Sequence, residues 1–551
     1  MADGISRICA STKHQREEYL IMEEESTLSM QQENNLRTSP DNRSSPVEKP
    51  KSRSLKRGIK SRSQEETISS IIKNACDLLQ KGIGTESDDI ILPQLIWLLF
   101  LKFLDDLEYS REEESGEAYE PIISTSYRWR EWAAVENKTL QLTGDELLVF
   151  INDELFPYLG RLSGSHESDI RTIIGTVFQN THNLVPSGYT LREVVDKLNA
   201  INFNSSECLR SLLPLYEAML KQIRDAAGKK GNFYTPRPIV RFMVRQLQPR
   251  LGECVLDPAC GTGGFLVETF ERLREVVRRP EQHNLLRDSL TGIEKKQMPY
   301  LLCAMNMLLH GIESPHIIER NTLSSSLRQI KDSDRVDVII TNPTFDEKEE
   351  QGIRNNFPEG MRSAETYLLF LQYVMAMLKR PGGRCGIVMP NGLLFSSDNV
   401  SVEIKQRLLA NFNLHTIMRL PQGVFLPYAN IPTNILFFDA CPSDIEGMCT
   451  REVWYYELPK RNPNYTKSKP LQDEEFIDCI TWWDKREASE RAWKVSIEQI
   501  LANNYNLDIR NPQKQVEEMF VSPDQLLDGI LEKERRILMI IEEIKHALGQ
   551  K

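Results

Sequence analysis

One stretch constrains this chain more than any other: Val255-Leu256-Asp257-Pro258-Ala259-Cys260-Gly261-Thr262-Gly263-Gly264-Phe265-Leu266, an apolar run that ends in an acid and opens into glycines ahead of a helical pattern. It predicts a strand, a tight loop and a helix start. Glycine lets the backbone pass through positive φ and lie close to a ligand, and the first amides of the following helix point into the same space. A cofactor belongs there. A phosphate cradle would end in Gly-Lys-Ser/Thr, and Gly263-Gly264-Phe265 offers no lysine. A dinucleotide fingerprint needs a third glycine where the chain has Leu266. Taken alone, the loop is also compatible with a bare αβ connection.

The surroundings decide. Thr291-Gly292-Ile293-Glu294 puts an acid at the end of a second predicted strand, where a carboxylate can accept from two ribose hydroxyls. Arg335-Val336-Asp337-Val338-Ile339-Ile340-Thr341 reads as a buried strand running into Asn342-Pro343-Thr344-Phe345. An amide, a proline and an exposed aromatic at a strand's carboxyl end make poor core and a good site, because open α/β sheets bind ligands outside those ends.

The order of Gly231-Asn232-Phe233-Tyr234-Thr235-Pro236-Arg237, the glycine loop, Glu294 and Asn342-Pro343-Thr344-Phe345 resembles the amino-methyltransferase family. More narrowly, it is similar to the modification subunit of type I restriction-modification systems. The likeness covers nearly everything after about residue 65, with one departure: the family turn is Asn-Pro-Pro-aromatic, and Thr344 stands in the second proline's place. The resemblance implies an adenine-N6 DNA methyltransferase using S-adenosyl-L-methionine. It implies cofactor contacts from Asn232, Phe233, Tyr234, Thr235, Pro236 and Arg237 at the methionine end, from Asp257, Gly261, Thr262, Gly263, Gly264 and Glu294, and from Asn321 at the adenine. Catalysis falls to Asn342, Pro343 and Phe345, with no metal. The implied partners are a specificity subunit, a restriction subunit and double-stranded DNA. Two alternatives stay open: methylation of a protein glutamine by a similar turn, and a silent assembly subunit in which Thr344 spoils the site.

At 551 residues the chain is too long for one core. A formal net charge of −11 argues against a stand-alone polyanion binder, so a partner should supply much of the grip on DNA. The 10 cysteines show no metal-ligand spacing and several sit in apolar runs, which predicts buried free thiols in a reducing cytoplasm. No run approaches the roughly 20 apolar residues that span a bilayer, so no membrane is expected.

Residues 1–62 are polar and turn basic, and are expected to be a disordered tail. Ser63 and Glu66 have capping-box spacing ahead of a helical domain over 63–228, whose Asp105, Asp106 and Glu108 read as a solvated helix face. A Rossmann-like α/β domain is predicted over 229–455, with a mostly parallel sheet, helices on both faces, and Thr235 capping a helix begun by Pro236. After 455 the sheet pattern stops. Residues 456–551 read as a helical region in which Trp482 and Trp483 anchor interdomain packing. Leu527, Ile530, Ile537, Ile541, Ile544 and Leu548 form a coiled-coil seam for a partner helix there.

Overall fold

The computed structural model describes residues 58–513 and 523–548, apart from 116–118, 135–140, 167, 205, 228–233, 346, 427–429, 444–446, 460–464 and 467–468. The predicted tail up to residue 57, and Gly231, Asn232 and Phe233, lie outside the described residues. The chain divides into a unit ending at Ile509 and a second one from Arg510.

The first helix among the described residues, α1, runs Gly58–Ile83, so Ser63 lies inside it and does not cap it. Helix α2 (Asp88–Ser115) buries every residue from Ile91 to Leu101, a pattern apolar all round. A helix so enclosed takes its acids inside, which overturns the solvated face. Asp105 pairs with Arg130 at 3.0 Å, Asp106 with Lys102 at 2.5 Å, and Glu108 accepts the Ile122 amide at 2.5 Å.

Among the described residues, nine strands form one sheet in the order β3-β2-β1-β4-β5-β7-β6-β8-β9. They are β1 Val255–Asp257, β2 Leu290–Glu294, β3 His316–Glu319, β4 Val338–Thr341, β5 Arg384–Pro390, β6 Phe412–Leu420, β7 Thr433–Ala440, β8 Glu452–Glu457 and β9 Ala492–Ser496. Five pairings are parallel. The antiparallel ones join β5 to β7, β6 to β7 and β8 to β9. The chain switches direction between β1 and β2 on one side and β4 on the other, where such sheets open a crevice.

β8 and β9 continue the sheet past residue 455, contrary to expectation. Trp482 and Trp483 close over that extension: Trp483 lies 4.9 Å from Phe437 and Trp482 5.0 Å from Tyr456, ring to ring. They hold the C-terminal segment on the sheet within one unit. Helix α3 (Ser206–Ala227) joins the helical region to a helix that flanks the sheet through Tyr216, whose hydroxyl donates to the Leu302 carbonyl at 2.8 Å. The sulfurs of Cys441 and Cys449 lie side by side, and Cys254, Cys260, Cys303, Cys385 and Cys479 are free and buried.

In the second unit, one helix spans Pro523–Leu548 with Leu527, Ile530, Ile537 and Ile541 exposed. The side chains of Ile544 and Leu548 lie outside the described residues. Among the described residues no helix is long and apolar enough to cross a membrane.

Candidate active site

The glycine loop turns as the sequence predicts. Gly261 and Gly263 take φ of 54° and 76°, and Gly263 caps α5 (Gly264–Arg274). A Cβ on Gly263 would stand 2.7 Å from Cys303 Sγ, so the loop lies pressed against α6 (Gln297–Leu309). From that helix the buried Asn306 amide donates to the Thr262 carbonyl at 2.8 Å. Arg237 braces the other side, donating to the Gly264 carbonyl at 3.1 Å and forking onto Glu217 of α3. With its donors committed to the protein, Arg237 acts as scaffold for the loop.

Asp257 ends β1 fully buried. Its Oδ1 accepts from Thr341 Oγ1 at 2.7 Å and from the Ala259 amide at 3.1 Å, and its Oδ2 meets no donor among the described residues. Burial pushes its pKa up to about 7, and the charge of Glu294 adds to the shift. Glu294, at the end of β2, accepts from the Gly261 amide at 3.0 Å and the Lys296 amide at 2.8 Å. Desolvation still raises its pKa above the ordinary value. Each oxygen keeps a further lone pair.

These elements surround a cleft of about 550 Å³, counting its open mouth. Of the predicted residues, Gly261, Glu294, Asn321 and Asn342 line it. Tyr234, Pro236, Asp257, Thr262 and Gly263 are buried off the lining. Asn321 donates to both Glu349 oxygens at 3.2 and 3.4 Å and accepts from the Leu323 amide at 3.0 Å, so its amide is held at both ends. Lys295, Lys296, Glu347, Glu349 and Phe370 also line the cleft and were missed. Lys295 pairs with Glu349 at 3.2 Å and Lys296 with Glu347 at 2.6 Å. The signal was available, since a lysine pair directly follows Glu294 and an acidic run directly follows the Asn342 turn.

Asn342, 9% exposed, follows β4. Its Nδ2 donates to Thr235 Oγ1 at 3.0 Å, and its Oδ1, an acceptor, meets no donor among the described residues. Thr235 caps no helix: Pro236 is the N-cap of α4 (Arg237–Leu247) and makes no side-chain cap bond. Pro343 is buried, and Phe345 is half-buried, not exposed as the sequence suggests, with its ring edge-on to Phe425 at 6.2 Å. The Thr344 carbonyl accepts from Thr366 Oγ1 at 3.0 Å.

A glycine loop, an acid-ended neighbouring strand and a polar turn converge on one cleft at the carboxyl edge of this sheet, where a Rossmann-like α/β enzyme binds its cofactor. A family model described as N-6 DNA methylase matches residues 211–519, and one described as the HsdM N-terminal domain matches 68–198. The type I restriction enzyme EcoEI methylase subunit of Escherichia coli is 43% identical, over 88% of this chain and 98% of that one. The crystal structure of a modification subunit assigned to a type I restriction enzyme of Vibrio vulnificus YJ016 is 48% identical, with a TM-score of 0.71 over 81% of this chain and 97% of that one. A chain from a type I R-M system, solved to explain complex assembly and conformational transition, is 38% identical with a TM-score of 0.72, over 88% of this chain and 99% of that one. The chain belongs to the family of type I restriction enzyme methylase subunits. It is an adenine-N6 DNA methyltransferase, the modification subunit of a restriction-modification complex, and S-adenosylmethionine is its cofactor. The protein-glutamine reading is set aside.

Proposed function

We propose that the turn Asn342-Pro343-Thr344-Phe345 is where this methyltransferase holds its target adenine, and that the cleft beside it holds the cofactor. One observation carries the reading: the buried Asn342 Oδ1 is an acceptor that meets no donor among the described residues, on the wall of the cleft. Such an atom costs about 1 to 3 kcal/mol when left unpaired, and a substrate amino group would satisfy it.

The cofactor site rests on Gly261 and Glu294, whose remaining lone pairs suit ribose hydroxyls, with Asn321 beside them. Tyr234 to Arg237 and the loop Asp257 to Gly264 support it from behind. S-adenosylmethionine supplies an electrophilic sulfonium methyl when bound. The chain's own part is orientation and electrostatics. Asn342 Oδ1 and the Pro343 carbonyl accept the two amino hydrogens of adenine, aim the nitrogen lone pair, and stabilise the positive charge that builds there until one of those protons passes to solvent. The base must first leave the duplex, at a few kcal/mol, and stacking on Phe345 offsets roughly 1 to 3 kcal/mol of that. The partners are a specificity subunit that reads the sequence, a restriction subunit and double-stranded DNA, and the setting is the cytoplasm.

The test is Asn342→Ala in complex with the specificity subunit, measuring labelled methyl transfer and cofactor titration. Transfer should fall by roughly 100-fold or more, with cofactor affinity nearly unchanged. Near-parent methylation by that variant would remove this turn from the site. Methyl transfer by the parent chain excludes a silent assembly subunit.

A further inference from the structure

We infer that Thr235 is a positioning residue for methyl transfer, anchoring one end of the Asn342 amide so that the other end is aimed into the cleft. The inference rests on the reading of Asn342 above. The two residues are 107 positions apart, and the Asn342 Nδ2 to Thr235 Oγ1 bond, at 3.0 Å, joins them across the site.

A terminal amide torsion is broad and roughly two-fold, so packing alone holds an asparagine head group poorly. Here the head group is enclosed, with Asn342 9% exposed, and each end has a distinct environment. One end meets a hydroxyl, and the other is buried without a donor among the described residues, in a residue that lines the cleft. A hydroxyl can donate or accept, so it pairs with whichever end is offered. Once adenine presents its amino hydrogens, the bound state selects Oδ1 towards the base and Nδ2 towards Thr235. Thr235 is itself fixed: Pro236 follows it, which holds it in extended backbone, and α4 is locked behind by the Arg237 fork onto Glu217 and by its bond to the Gly264 carbonyl. The same scaffold that shapes the cofactor loop therefore sets the angle of the catalytic amide. Thr235, assigned by resemblance to the methionine end of the cofactor, has a second task that affects the chemical step more than affinity.

The test compares Thr235→Val and Thr235→Ser with the parent, in complex with the specificity subunit on target-containing DNA. Single-turnover methyl transfer is measured at saturating cofactor, with cofactor affinity measured by calorimetry. Valine keeps the shape and removes the hydroxyl. Its rate should fall roughly 10- to 100-fold, as for a misplaced reacting group, with cofactor affinity within about threefold of the parent. Serine should keep most of the rate. The inference is overturned if the valine variant transfers at the parent rate. It is also overturned if raising the cofactor concentration restores that rate, since Thr235 would then serve the cofactor alone. If instead Asn342→Ala itself keeps the parent rate, the catalytic turn is misassigned and the anchor falls with it.

Discussion

Replacing Asp257 by asparagine should change how the stability of this protein depends on pH. Burial lifts the Asp257 pKa from 3.8 to about 7, against the bonds from Thr341 Oγ1 and the Ala259 amide that favour the charged form. An acid whose folded pKa is raised keeps its proton in the native state at pH values where the unfolded chain has lost it. Stability from this group is therefore fully present below about pH 4 and is lost as pH rises to about 7. Three pH units at 1.36 kcal/mol each give ~4 kcal/mol across that window. The asparagine side chain would be neutral throughout, and its oxygen would still accept from Thr341 and Ala259. Urea unfolding of Asp257→Asn and the parent should then show a difference that moves steadily in the variant's favour from about pH 4 to about pH 7 and is level above. A difference independent of pH, or one moving towards the parent, would refute a buried, largely protonated Asp257.

Gly263→Ala must place a side chain at φ of 76°, with its Cβ 2.7 Å from Cys303 Sγ. The left-handed backbone alone costs about 1 to 2 kcal/mol, so the unfolding midpoint should fall, and cofactor titration should show at least ~10-fold weaker binding. Adding Cys303→Ala should recover the steric part only, and unchanged binding in the single variant would show that the loop does not cradle the cofactor. Glu217→Gln replaces the two-oxygen fork on Arg237 by a single side-chain acceptor and removes its strongest counter-charge beneath the Gly264 carbonyl. It should raise the cofactor Kd by about fivefold while kcat at saturating cofactor stays near the parent value, and a matched fall in kcat would refute a role confined to the loop.

The central strands were legible because parallel strands buried on both faces read as unbroken apolar runs, as Val255-Leu256 and Val338-Ile339-Ile340 do. The extension past residue 455 was not. β8, Glu-Val-Trp-Tyr-Tyr-Glu, is acidic at both ends and finds its partner β9 only at Ala492–Ser496, across a helix and loops. Distant pairing, not local pattern, makes it a strand. The acids of α2 failed for a related reason. Asp105 looks solvated until Arg130, 25 residues away, is folded onto it at 3.0 Å. The glycine turn and the strand ends were legible, since both are local. The roles proposed for Thr235 and Arg237 were not, because their partners Asn342, Gly264 and Glu217 are distant in sequence.

Thr344 makes the same argument within a single turn. A second proline would have stiffened the backbone from inside, by fixing φ. With threonine there, the constraint comes from outside. The buried Thr366 hydroxyl lies 3.0 Å from both the Thr344 and the Glu347 carbonyls, the Thr366 amide donates to the Glu347 carbonyl, and the Glu349 amide donates to the Ala364 carbonyl. The segment following this turn is thus tied to the start of α7 (Thr366–Met377), an element 22 residues downstream of Thr344 that no inspection of the turn itself would implicate. A ring removes conformations from the unfolded chain as well as the folded one, whereas these bonds act only once the helix and turn have met. The departure at Thr344 therefore removes the local restraint, keeps the tertiary one, and leaves the acceptors of Asn342 and Pro343 in place.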